Sequence, residues 1–361
     1  MSLRAALFVA LLTASACSPR EIEDQRRLLL ESWGRDMLLA NYAVVEQDAA
    51  ELERRAAAFC EEPTEAGLAR GQDAWWSARG AWKRAEVFAF GPYQESPWRL
   101  GPKLDFWPAR PESIEAVLAS TEPLEPAAVA LLGAAAKGFP AVEYLLFPEA
   151  EDPVESFTSD PRRCEYLLAV SADLGQRATE IRRAWDPEAE NYLGELVEAG
   201  RGSQSFASLH AAVGEVVNRM AFTLENIQSD KLGRPLGMTA GGVPQPDLLE
   251  SRFSGRSVED IRDNVRGIEA LFFGVPSEGA LGLDAYLDSK NRHFDQRMRA
   301  ALDALDEALS DVDAPLSEAI VTNPGGVERA IERAGELQRL IQVDVINALS
   351  LTVSFNDNDG D

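Results

Sequence analysis

Helical periodicity fills almost the whole chain and leaves no room for an extended sheet. Over residues 21–60 the apolar residues Leu28, Leu29, Trp33, Met37, Leu38, Tyr42, Val45, Ala49 and Leu52 recur every three or four positions. That spacing marks one face of a long helix. The pattern continues over 65–90 through Trp75, Trp82 and Phe90, and Gly91-Pro92 ends it. Residues 91–110 read as a loop carrying Pro92, Pro97, Pro102 and Pro108. A short helix is expected over 112–119 and another over 126–147. Asp160-Pro161 is a start signal, an N-cap followed by Pro at the first helical position. It opens a helix that runs to Trp185. Further helices are expected over 205–231, 258–273, 289–310 and 326–352. The Gly- and Pro-rich loop 232–256 between two of them is long, and loops of that length in compact domains are usually functional or mobile. No stretch alternates with period two for long enough to build a sheet. The expected fold class is therefore all-α, built as helical bundles.

Two segments match when laid side by side. One is Phe139-Pro140-Ala141-Val142-Glu143-Tyr144-Leu145-Leu146-Phe147-Pro148, and the other is Val265-Arg266-Gly267-Ile268-Glu269-Ala270-Leu271-Phe272-Phe273-Gly274. Each lies late in a helix and ends at Pro or Gly. The match suggests an internal duplication, two related helical bundles with a joint in the 187–204 loop. Chance likeness between amphipathic helices is the alternative. On that division residues 17–190 form an N-terminal bundle and 205–361 a C-terminal one.

The acids of these segments are informative because residues three and four apart are neighbours on a helix. Glu143 is flanked in this way by Phe139, Pro140, Leu146 and Phe147, and Glu269 by Val265, Arg266, Phe272 and Phe273. Both project from largely apolar faces. A buried carboxylate costs several kcal/mol unless it is paired, hydrogen-bonded, protonated or bound to a cation. A structural ion pair, with Arg266 as local partner of Glu269, is one reading. A ligand site where the bundles face each other is the other. The stretch Trp75-Trp76-Ser77-Ala78-Arg79-Gly80-Ala81-Trp82-Lys83-Arg84-Ala85-Glu86 adds two candidates. Arg79 has Trp75, Trp76, Trp82 and Lys83 as helical neighbours, and indoles stack on a guanidinium. Glu86 lies beside Trp82 and Phe90. Arg79 and Glu86 are expected partners of a buried Glu143.

Charge narrows the function classes. Lys and Arg number 35 against 60 Asp and Glu, a net charge of −25, with 2 His. Phosphate recognition relies on Lys and Arg, so nucleic acid is not an expected partner. Two His, His210 and His293, are too few for the common His-rich zinc sites. Any metal would be held largely through carboxylates, and an acidic surface attracts cations.

Residues 1–16 read as a secretory signal. Arg4 precedes the apolar run Ala5–Leu12, and Ala14-Ser15-Ala16 leads to Cys17. The run is too short to span a bilayer. Small residues directly before Cys17 resemble a bacterial lipobox, which makes Cys17 the lipidated first residue of the mature chain. Plain cleavage nearby is the alternative. An exported protein meets an oxidising compartment, so Cys60 and Cys164 are expected to form a disulfide rather than remain buried thiols.

The residues resemble the imelysin family in four stretches that follow the family's order. They are Trp82-Lys83-Arg84-Ala85-Glu86-Val87-Phe88-Ala89-Phe90-Gly91-Pro92 with Asp105-Phe106-Trp107-Pro108, then Gly138–Phe147, then Lys231–Gly237 with Ser251–Ser257, and the ending 353–361. The resemblance implies an exported lipoprotein of two helical bundles, of the predicted periplasmic lipoprotein branch. It brings Asp105, Arg252 and Ser254 in beside Glu143, Glu86, Arg79 and Glu269 as ligand or metal candidates. The family's hallmark is Gly-x-His-x-x-Glu. Here Gly138 and Glu143 match it, but Pro140 stands in the His position, so the His–Glu pair that could grip a cation is broken. The family also carries a peptidase label. A zinc protease needs three ligands and a Glu base, and no such motif stands in this chain. Other members are linked to iron uptake or to binding metals and polysaccharides. The expected function is thus an envelope accessory of iron or metal uptake that binds a ligand between two bundles. It would be anchored to a bacterial membrane by lipid, with iron or another divalent cation as candidate ligand and an outer-membrane iron receptor as candidate partner. An unconventional metallopeptidase and a non-catalytic scaffold are the alternatives.

Overall fold

The computed structural model describes residues 19–353 except 150, 151, 276, 278 and 313. Cys17 and the ending 354–361 lie outside the described residues. Among the described residues eight helices carry most of the fold. Pro19–Ser32, Trp33–Leu39 and Ala40–Glu61 form one continuous helix, α1, whose middle stretch is wound as a π-helix. Helix α2 is Glu65–Ala85, opened by the Thr64 side chain accepting from the Gly67 N–H. A 3-10 turn, Glu86–Phe88, follows it. Helix α3 is Gly138–Leu146, and α4 is Pro161–Trp185 with Asp160 as its N-cap. Helix α5 is Leu209–Asn226, prolonged by a π-helical stretch Ile227–Gly233 and by Arg234–Leu236. Helix α6 is Ser257–Phe273, and α7 is Asp295–Ser310. Helix α8 is Pro324–Arg339, prolonged through Leu340–Val345 and Ile346–Ala348.

The chain is all-α in two bundles. Helices α1, α2, α3 and α4 pack together in the first, and α5, α6, α7 and α8 in the second. Helix α6 lies along α2 and joins them, and the start of α1 reaches across to α5. The crossing of α2 and α6 is close because Gly267 has no side chain. A Cβ there would stand 2.4 Å from the Arg84 carbonyl oxygen. Trp33, Trp75, Trp82 and Trp185 are fully buried, and indole N–H groups stitch helices together. Trp33 donates to the Leu271 carbonyl at 3.0 Å, and Trp75 to that of Phe139 at 3.1 Å. Cys60, at the end of α1, is joined by a disulfide to Cys164 in the first turn of α4, 104 residues away.

Local backbone chemistry breaks several expected helices. The helix expected over 126–147 is three pieces, Pro126–Val129, Ala134–Ala136 and α3. Gly138 sets the last break. Its φ is +72°, and a Cβ there would lie 2.2 Å from the Leu104 carbonyl oxygen. Only glycine combines that backbone with that approach. The helix expected over 289–310 is Leu283–Ser289 followed by α7, with Asn291 at φ +57° between them. The segment expected over 326–352 opens earlier, at Pro324, because the Asn323 side chain accepts from the Gly326 N–H. The long loop starts at Gly237 instead of 232. A ribbon that periodicity did not reveal pairs Gly274–Val275 with Ala280–Leu281 in antiparallel fashion. Two-residue strands are too short to alternate.

Candidate functional site

A buried network of charge fills the joint between α2 and α6. Arg79 and Lys83 stand one turn apart on α2, and Glu86 opens the turn after it. Arg79 is 1% exposed. Its guanidinium pairs with Asp105 at 2.6 Å, Glu250 at 3.1 Å and Asp260 at 3.1 Å. Lys83 is wholly buried. Its Nζ meets Glu86 at 2.5 Å, Asp105 at 2.6 Å, and Glu250 in a shorter contact. The π-helical stretch of α5 aims Lys231 at the same acids. Its Nζ lies 3.1 Å from Glu86, 2.9 Å from Glu250 and 2.6 Å from the Asn264 amide oxygen. The Asn264 amide nitrogen in turn donates to Glu86 and to the Lys83 carbonyl, both at 2.8 Å. Arg256 pairs with Asp260 and, at 2.7 Å, with Asp263, which also takes Arg84 at 2.9 Å. Thus Arg79, Lys83, Arg84, Lys231 and Arg256 face Glu86, Asp105, Glu250, Asp260 and Asp263, and Arg266 reaches Asp263 from the rim, so every acid is matched by a cation.

Asp105 and Glu250 are held charged by their partners. Burial alone would raise the Asp105 carboxyl, but Arg79 and Lys83 pull it well below the ordinary range. Burial acts the same way on Glu250, and Lys231, Lys83 and Arg79 overcome it. Burial and Arg79 push Lys83 down, yet Asp105, Glu250 and Glu86 keep it well above its usual value. Pairing makes the arrangement tolerable, since a single buried charge would carry its full desolvation cost.

Glu143 stands apart from this balance. It is 2% exposed, and its partners are the Ser254 N–H at 2.9 Å and Oγ at 2.8 Å, not Arg79 or Glu86. Burial pushes its carboxyl up to about 7, against the opposing pull of the two Ser254 hydrogen bonds. Glu143 thereby ties α3 of the first bundle to the loop ahead of α6. Arg252 pairs with Asp247 and lies over the Phe253 ring at 4.6 Å, outside the network. Glu269 is exposed, which corrects its expected burial. Its expected partner Arg266 pairs instead with Glu259 at 2.7 Å and Asp263 at 2.9 Å. The aromatic cage around Arg79 also differs from expectation. Trp75 and Phe139 lie 5.9 and 5.5 Å from its guanidinium. Trp82 turns its Nε1 to Asp105 at 3.0 Å, and Trp76 faces Arg256 at 5.0 Å. His210 and His293 bond to the Ser350 carbonyl and to Asp288 and take no part.

The network opens on one side into a cavity of about 360 Å³ between the bundles. The first bundle lines it with Glu86, Tyr93, Asp105 and Trp107. The second adds Arg219, Phe222, Asn226, Lys231 and Glu250. Trp107 lines the cavity beside Tyr93 and Phe222, and its indole N–H is buried without a protein partner. Oxygens of Glu86, Asp105 and Glu250 lie within 4.8 Å of one another, a spacing that would suit a metal ion. The Lys83 ammonium already stands among them, however, and the donor set does not fit a bare cation beside it. Sequence reasoning named Arg79, Glu86, Asp105, Glu143 and Ser254 but missed Lys83, Lys231, Glu250, Asp260, Asp263, Arg256 and Asn264. One signal was present. Residues 79, 83 and 86 and residues 260, 263 and 264 form polar stripes at helical spacing on faces that are otherwise apolar.

Comparison with known proteins agrees with this architecture. The model of the imelysin family matches residues 38–343. Iron-regulated protein A of Synechococcus elongatus is 26% identical over 295 residues, which is 81% of this chain and 77% of that protein. Among solved structures, a protein of Parabacteroides distasonis assigned as an iron-regulated protein A precursor superposes with a TM-score of 0.77. It is 20% identical and covers 93% of this chain and 96% of its own. An imelysin-like protein of Psychrobacter arcticus gives 0.72 at 20% identity, covering 92% and 98%. At that identity the two structures speak for the fold alone, whereas the family model spans most of the sequence, and on that ground the chain belongs to the imelysin family.

Proposed function

We propose that this protein is an exported, lipid-anchored binding protein of the bacterial envelope, and that it serves iron acquisition by holding a ligand in the cavity between its bundles. The cavity carries the reading. It lies where two bundles meet, and it is walled by a fixed set of buried charges beside the aromatic rings of Tyr93, Trp107 and Phe222. Concave sites of a few hundred Å³ with a few fixed polar groups are the usual form of small-ligand sites. The iron link is supported by the Synechococcus relative, an iron-regulated protein A. Export and anchoring are supported by the apolar run, the small residues and Cys17 at the start of the sequence. No helix among the described residues is long and apolar enough to cross a membrane, so on this reading the lipid on Cys17 is what holds the protein at the membrane.

Growth under iron limitation tests the reading. Deleting the gene in its source bacterium should slow growth when a chelator is present and leave it unchanged in iron-replete medium. The full chain should restore growth, while Ala89→Trp, which fills the cavity, should be exported, folded and unable to do so. Equal growth with and without the gene under chelation would rule the proposal out.

A further inference from the structure

We infer that the Lys83 ammonium is the resident cation of the inter-bundle site, so that this protein takes its ligand there without a metal ion. The inference deepens the proposed function and rests on it only for where the ligand sits.

An ammonium has three N–H donors and no acceptor. Glu86 Oε1, Asp105 Oδ2 and Glu250 Oε1 meet Lys83 Nζ at 2.5 Å, 2.6 Å and in a still closer contact. The three donors are therefore used up by three carboxylates. A metal bound by oxygen ligands sits about 2.0–2.6 Å from each of them, so an ion held by the same oxygens would need the volume that Nζ occupies. Among the described residues these three acids are the one such group whose oxygens converge. The lysine is enclosed. It is 0% exposed, and its helix is pinned at the α2–α6 crossing. The charge balance gives the same answer. With Arg79, Arg84, Lys231 and Arg256 already matched to acids, a divalent ion added beside Lys83 would be a buried charge without a counter-ion. The ligand that suits a site whose acids are all matched is a neutral polar molecule.

Metal titration of the full mature protein in detergent tests this. The chain is stripped with chelator, titrated with manganese, zinc or ferrous ion, desalted, and its metal content measured. The wild type should retain no stoichiometric ion. Lys83→Met, which keeps the length and removes the charge, should gain one site roughly 100-fold tighter, the scale expected for relieving one buried like charge. Asp105→Asn added to it should abolish that site. A wild-type protein that keeps one equivalent of metal, lost on Glu250→Gln, would overturn the inference. So would a folded Lys83→Met protein that binds no ion. If Lys83→Met does not fold, the wild-type titration decides alone. Chelator growth assays read the uptake proposal and not this one, so the two fail separately.

Discussion

Glu143 in α3 and Glu269 in α6 hold equivalent places in matching segments, residues 139–148 and 265–274. Yet Glu143 is 2% exposed while Glu269 lies in solvent. Their immediate helical neighbours are similar, so local pattern does not separate them. What differs is the number of sides that are covered. Helix α3 is nine residues long and wedged between α2 and α4, and all of it but Tyr144 is buried. Helix α6 buries one stripe, including Asp260, Asn264, Gly267, Ile268 and Leu271, and turns Arg266 and Glu269 outward. The same ten-residue pattern thus becomes a core plug in one bundle and an amphipathic rim in the other. A pattern read along one helix reports one face; burial on the other faces is decided by tertiary neighbours.

The largest effect should come from breaking the network on the covered side. Arg79→Met leaves Asp105, Glu250 and Asp260 facing one another without their shared cation. Removing one partner of a buried ion pair costs about 3–5 kcal/mol, so the urea midpoint should fall steeply. A loss under about 1 kcal/mol would mean that the network is not the anchor of the joint.

Next in size is the pH response of Glu143. Its carboxyl is raised to about 7 from an ordinary 4.5, so the fold holds its proton more tightly than the unfolded chain does. The sign follows. The stabilisation is complete below the unfolded value near 4.5 and is lost as pH rises through about 7, because the native state must then bury a charge. The span corresponds to roughly 3 kcal/mol. Glu143→Gln stays neutral. Relative to wild type it should therefore gain about that much stability between pH 5 and pH 8.5. Paired thermal melts across this range measure the difference, and a wild-type-minus-variant gap that does not change with pH would refute the buried, proton-holding role.

Ser254→Ala should have a smaller effect of the same kind. It removes the Oγ donor at 2.8 Å and keeps the backbone N–H. A hydrogen bond to a charged group is worth about 1.5–3 kcal/mol, so the cost should show mainly above pH 7, where Glu143 is ionised. Below pH 5 the variant should come close to wild type. In Glu143→Gln the same substitution should lose this pH dependence, which a double-mutant cycle would show.

Legibility in the sequence follows the range of the interactions. Elements fixed by local chemistry were readable: Asp160-Pro161 opens α4 at the residue expected, and the face from Leu29 to Leu52 runs along α1, although Leu28, expected on it, lies in solvent. Arg79, Glu86 and Asp105 stood out because each is polar beside tryptophans or in a stretch shared with the family. Their partners did not stand out. Asp260 is 181 residues from Arg79, and Ser254 is 111 from Glu143. Nothing in the local sequence registers a pairing across that distance. Lys231 is harder still, since a π-helical stretch turns it inward and shifts it off the 3.6-residue register. Pro140, in contrast, was readable as a loss. It removes the imidazole of the family motif and stands in the first turn of α3, where a missing N–H costs nothing.

The smallest effect should belong to the solvent-facing counterpart. Glu269 is exposed, and Arg266, its expected partner, reaches back to Glu259 and Asp263. Glu269→Gln should therefore change unfolding free energy by no more than about 0.5 kcal/mol, the usual range for surface sites. Its effect at pH 5 and pH 8.5 should also be the same, in contrast to Glu143→Gln. Arg266→Ala gives a sharper control, because its side chain is 51% exposed and yet touches Asp263, which is 1% exposed. Asp263 keeps Arg256 and Arg84 when Arg266 is lost, so the change should stay within about 1 kcal/mol. A larger loss at either position would show that the rim of α6 also carries the joint between the bundles. The contrast with α3 would then be one of degree, set by how many cations each acid shares and not by whether it faces water.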